Sequence, residues 1–226
     1  MKKNGFTLAE VLITLAIIGV VATLTLPALM TNTQEQQAKT ALKKGINTLT
    51  EAAQMHQAIA GVDYSSISSD KTANSGEDEA SLYRLLADRA SINLRESKSS
   101  ITDMGSVNSK DNFVVFFRDG SALSFKPADT LYTAKTTGGE GNEKKVGTIQ
   151  SDGLPYGYAA LYDTNGRKGP NTLSNCNGNI AATNDTSNID ACDNKSKRLI
   201  KDQFGVRLRG SYAVPNGAAA RWAFSN

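Results

Sequence analysis

The sequence predicts an α+β fold in which one long N-terminal helix packs on a small antiparallel β-sheet. Three observations predict it. An apolar run covers residues 6–30, apolar residues then recur at three- and four-residue spacing to about residue 60, and paired β-prone runs begin near residue 113.

The apolar run holds one charge, Glu10, and one proline, Pro27. As a helix rising about 1.5 Å per residue it spans roughly 37 Å, enough to cross a hydrocarbon core of roughly 30 Å. Lys2 and Lys3 precede it, so the positive-inside rule puts the N-terminus in the cytoplasm and the bulk of the chain outside. A cleaved secretory signal and a plain signal anchor are two readings of such a segment. The run is long for the first, and neither accounts for Glu10. A charge at the bilayer centre costs about 2.5–3.5 kcal/mol on insertion scales, less near the interface, and asks for a partner.

Gly5-Phe6-Thr7-Leu8-Ala9-Glu10-Val11-Leu12 resembles the processing and methylation motif of type IV pilins and type II secretion pseudopilins. That motif is a short basic leader ending in glycine, then phenylalanine, then a glutamate fifth after the cut. The resemblance implies a prepilin peptidase that cuts between Gly5 and Phe6 and N-methylates the new amine. It implies assembly into a helical filament of like subunits on an inner-membrane platform. A glycine leaves the scissile backbone accessible. Within such a filament the Phe6 ammonium of one subunit would pair with the Glu10 carboxylate of a neighbour, since an unpaired charge in low dielectric is costly. The chain then divides into a prepilin leader (1–5), a transmembrane and filament-core half-helix (6–30), an amphipathic half-helix (31–60) and a globular head with a C-terminal disulfide loop (61–226). The fold it implies is the pilin-like roll. The destination is an extracellular pilus or a periplasmic pseudopilus.

Pro27 cannot donate to the carbonyl four residues back, so a kink or local melting is expected there. Beyond it Ala38, Ala41, Leu42, Ile46, Leu49, Ala52, Ala53 and Ile59 form a narrow apolar stripe, with Gln34, Glu35, Lys39, Lys43, Lys44 and Glu51 opposite. Gly45 is a weak point in this helix and Gly61 its stop. Residues 61–78 and 136–147 read as loops, and 78–91 as a short helix. Two β-prone runs flank Asp119-Gly120, a pair favoured in type I′ hairpins. Further strands are expected at 156–163 and 204–214, giving about four in all.

Cys176 and Cys192 enclose 15 residues of a polar loop. In an exported chain an even count suggests one disulfide, closing a loop for about 3 kcal/mol; in a cytosolic one they would be free thiols. Asp163-Thr164-Asn165-Gly166-Arg167-Lys168-Gly169-Pro170-Asn171, followed by Asp202, resembles a turn near the C-terminus of pilin-like proteins. Oxygens of Asp163, Asn165, Asn171 and Asp202 form a candidate calcium set, which some pseudopilins use. It does not follow the EF-hand pattern, and side-chain turns are the plainer account. Apart from calcium, no cofactor is expected.

The lone histidine, His56, has no nucleophile or second ligand beside it in sequence, and reads as a helix-packing or surface residue. No catalytic motif is present. Without Lys2 and Lys3 the 25 basic residues fall to 23, against 22 acidic ones, so the chain lacks the basic excess of a nucleic-acid binder. Trp222 and Phe224 near the end read as core plugs or as an interface patch. The expected protein is therefore a structural filament subunit, major or minor, with a non-polymerising anchored binding domain as the rival.

Overall fold

The computed structural model describes Gly5, residues 7–65, 82–87, Ala90, 92–97, 113–125, 158–182, Asp185 and 188–226. Helix α1 runs over Leu8–Ala60. By internal contacts the chain divides into a unit Met1–Gln37 and a unit Ala38–Asn226. The described part of the first is helical from Leu8 onward. Leu8–Leu26 has a mean hydropathy of 2.3 and none of it is buried.

In the second unit the same helix becomes amphipathic. Leu42, Ile46, Leu49, Ala52 and Ala53 are buried, on one stripe set by the 3.6-residue period. Two members of the expected stripe differ. Ile59 is 70 % exposed, so it does not join the packed face. Lys39, expected on the solvent face, is 6 % exposed. Its ammonium stands 4.0 Å from the centroid of the Trp222 ring, so a cation–π contact lets its stem pack inward. The helix stops as expected. Gly61 takes φ +70° and its N–H closes on Gln57 O at 2.9 Å.

The remaining elements are α2 (Leu82–Ala87), β1 (Ile92–Ser97), β2 (Phe113–Phe117), β3 (Ala122–Phe125), β4 (Tyr158–Asp163), β5 (Gln203–Arg209), β6 (Tyr212–Pro215) and α3 (Ala218–Ser225). The strands form one antiparallel sheet in the order β1-β2-β3-β4-β5-β6. This is the α+β arrangement expected, with six strands rather than about four. The region read as one strand over 204–214 is a hairpin, in which Arg209 pairs with Tyr212 across the two-residue loop Gly210-Ser211. Gly210 has φ +48°, which a glycine adopts at little cost. β1 escaped the reading because it carries Arg95 and Glu96, as edge strands do.

The Asp119-Gly120 turn also differs. Only Gly120 has positive φ, at 90°, so it is not the type I′ turn, which needs both central residues there. Gly120 N–H instead bonds Phe117 O, and Phe117 N–H bonds Ser121 O. That is the longer hairpin whose last loop residue is glycine. Within the expected helix 78–91 the described residues include α2, Leu82–Ala87; positions 78–81, 88, 89 and 91 lie outside the described residues. So do the leader before Gly5, Phe6, positions 66–78 of the expected loop 61–78, and the expected loop 136–147.

β2 is apolar throughout and β3 carries one polar residue, Ser124, because both faces of the pair are buried. Val115, Phe117, Leu123 and Phe125 join the main core with α1, whereas Val114, Phe116 and Ala122 form a second cluster on the other face. Packing also decides Gly45. A β-carbon there would collide with the ring of Tyr162, so the missing side chain is what lets α1 and β4 meet at this point. At the sheet edge, Ala213 N–H donates to Thr50 Oγ1 at 3.1 Å and Pro215 has no N–H to offer, so β6 has little left for a foreign strand.

Candidate assembly site at the start of the long helix

The apolar segment begins at a built helix start. Thr7 is the residue before the helix and Glu10 lies in its first turn. Glu10 Oε2 accepts the Thr7 backbone N–H and the Thr7 hydroxyl, each at 2.8 Å. Glu10 N–H in turn donates to Thr7 Oγ1 at 3.3 Å. These reciprocal bonds are a capping box, satisfying donors that a helix start otherwise leaves bare. Its signal, Thr-x-x-Glu just before an apolar run, stands in the sequence. Gly5 precedes the cap, with open space where a β-carbon would be. Phe6, its expected partner in processing, lies outside the described residues.

Thr14, Thr23, Thr25 and Thr33 hydroxyls donate to carbonyls three or four residues back, at 2.8–3.0 Å. That removes the cost of carrying hydroxyls into lipid. Leu8, Leu12, Ile13, Leu15, Ile18 and Leu24 are all exposed. α1 continues through Pro27 without interruption. A 19-residue apolar helix with its polar groups bonded inside itself and one capped acid at its start is suited to lipid or to other such helices.

Residues 1–26 match the prokaryotic N-terminal methylation motif. This is the signal carried by type IV pilins and pseudopilins. No curated protein and no solved structure matches the chain. The methylation motif covers Gly5, Thr7, Glu10 and the apolar helix to Leu26, so the match and the geometry concern the same residues. Motif and single apolar helix together fit membrane anchoring.

The other candidates lie in the second unit. Cys176 and Cys192 form a disulfide with 4.8 Å between Cα atoms. Both are buried against α3. Trp222 holds this region to α1: Arg198 stands 3.9 Å from its ring centroid and also donates to Cys192 O at 3.0 Å, while Lys39 of α1 approaches the same ring. Trp222 and Phe224 thus pack against the core. His56 is fully buried on the packed face of α1.

The Asp163 turn uses its acids as backbone acceptors. Asp163 Oδ1 accepts N–H groups of Asn165 and Gly166 at 3.0 and 2.7 Å, and Oδ2 accepts Gln203 Nε2 at 2.9 Å. Asp202 accepts the N–H groups of Asn171 and Thr172 at 2.8 and 2.9 Å. Asn171 adopts φ +49°, after a cis Gly169–Pro170 bond. Burial pushes the Asp163 carboxyl up to about 7 and the Asp202 charge adds to the shift, against the opposing effect of the bonds from Gln203, Asn165 and Gly166. Among the described residues no group of three or more His, Cys, Asp or Glu is placed to hold a metal ion. The four residues named for calcium therefore do meet around one turn. Their carboxylates, however, already hold its backbone.

Proposed function

We propose that the chain is a structural subunit of a type IV pilus or type II secretion pseudopilus, cut between Gly5 and Phe6 by a prepilin peptidase and assembled through α1. Its work is mechanical, and it is not an enzyme. The observation that carries the reading is the uncovered apolar helix Leu8–Leu26 with Glu10 in its first turn, inside the methylation motif. Such a face is stable only against lipid or against copies of itself, and extraction from one into the other is what filament growth requires.

Before assembly the chain spans the inner membrane once, with the unit Ala38–Asn226 outside the cytoplasm. Afterwards the helix sits among copies of itself and of related pilins, and the Glu10 carboxylate exchanges the Thr7 cap for the Phe6 ammonium of a neighbour. The partners are then the peptidase, the assembly platform and the other subunits; nucleic acid is not among them.

The test is the recovery of this chain in sheared surface filaments or in a secretion pseudopilus, wild type against Glu10→Ala. Wild-type recovery with loss in the variant supports the reading. A low copy number in the filament would make the chain a minor subunit at the start or tip. Absence of the wild-type chain from any filament would leave a membrane-anchored binding domain.

A further inference from the structure

A cleft of about 400 Å³ opens within the unit Ala38–Asn226, between α1 and the β2–β3 turn. Residues 44–49 of α1 form one wall, residues 117–121 the other, and Tyr162 the back. Its size is that of small-molecule sites, which combine an apolar lining with a few fixed polar groups.

A chain of hydrogen bonds holds the polar wall. Ser121 Oγ donates to Asp119 Oδ1 at 2.6 Å, and Lys44 Nζ donates to Asp119 Oδ2 at 2.8 Å. Both oxygens of the acid are thereby used. Burial raises Asp119, but the Lys44 and Ser121 bonds outweigh it and hold the carboxyl below its ordinary value. At the rim Arg118 is exposed and takes no partner among the described residues. The charge left to offer a ligand is thus positive, carried by a guanidinium whose planar fork matches a carboxylate. Deeper in, Leu49, Phe117 and the Tyr162 ring supply an apolar lining.

We propose that this cleft binds a small amphipathic anion, with its flat apolar body on Leu49, Phe117 and Tyr162 and its carboxylate on Arg118 beside Lys44. The site is independent of filament assembly. No element of it lies in Met1–Gln37.

The test uses the full chain in detergent micelles and ¹⁹F line broadening of 4-(trifluoromethyl)benzoate, with the neutral 4-(trifluoromethyl)benzyl alcohol reporting uptake by the micelle. Saturable broadening of the benzoate alone is expected. Arg118→Gln, a change at an exposed residue, weakens it about tenfold. Thr48→Trp, which fills the cleft from α1, abolishes it. No saturation up to roughly 10 mM, or equal broadening in wild type and Arg118→Gln, would overturn the proposal.

Discussion

Thr7 and Glu10 cap each other: the acid accepts the threonine N–H and hydroxyl at 2.8 Å, and the threonine oxygen takes the Glu10 N–H. Glu10 therefore has two separable properties, an acceptor that starts its own helix and a charge available to a neighbour. Glu10→Gln divides them, because glutamine serves a capping box as well as glutamate does. We expect Glu10→Gln to be processed normally yet to assemble as poorly as Glu10→Ala. The readout is the ratio of filament-borne to membrane-borne protein. Wild-type assembly of the glutamine variant would show that the cap suffices and that no ion pair forms.

Gly45 and Tyr162 meet where α1 crosses β4. Tyr162 is 2 % exposed, with its hydroxyl pushed up to about 12 by burial. Gly45→Ala should cost about 1–3 kcal/mol through overpacking, despite alanine's better helix propensity. Thermal unfolding checks it: the melting temperature should fall by roughly 2–12 °C. A rise would mean that helix propensity outweighs the contact.

Asp163 predicts a pH dependence. Its folded value, about 7, stands above the ordinary 3.8, so its contribution is fully present below about pH 4 and is lost as pH rises through 7. Asp163→Asn can still accept the Asn165 and Gly166 N–H groups, and the Gln203 amide can turn over to accept from the new Nδ2. The variant should gain stability relative to wild type between pH 5 and 8 and behave alike at pH 4. Denaturant melts across that range decide it. Parallel curves would refute the shift.

Calcium gives a separate test of the same turn. With the Asp163 and Asp202 oxygens on backbone N–H groups, neither millimolar calcium nor a chelator should move the melting temperature. A calcium-dependent rise that vanishes in Asp202→Asn would assign the turn a cation.

Trp222 is the chain's only tryptophan, and Arg198 links its ring to Cys192. Replacing Cys176 and Cys192 with serine should cost about 3 kcal/mol and shift Trp222 emission to the red as the ring gains water. Unchanged emission would mean that α3 holds its place without the disulfide.

What the residues disclosed followed local rules. The α1 stripe, its glycine stop, the apolar β2–β3 runs and the disulfide all rest on period, composition or an even cysteine count. What stayed hidden depended on partners far off in sequence. Gly45 reads as helix-weakening until Tyr162, more than a hundred residues later, is seen against it. Lys39 reads as solvent-facing until Trp222 covers it. Ser211 reads as mid-strand, although Gly-Ser between β-prone runs is itself a hairpin signal. At the candidate site Glu10 was legible through its place in the motif. Its capping role is equally legible in Thr-x-x-Glu before an apolar run.

The measurement that bears most directly on the central claim is the mass of the native N-terminus. The account predicts a chain beginning at Phe6 with a methyl group on its amine. A chain beginning at Met1, or one cut near Ala28, would contradict it.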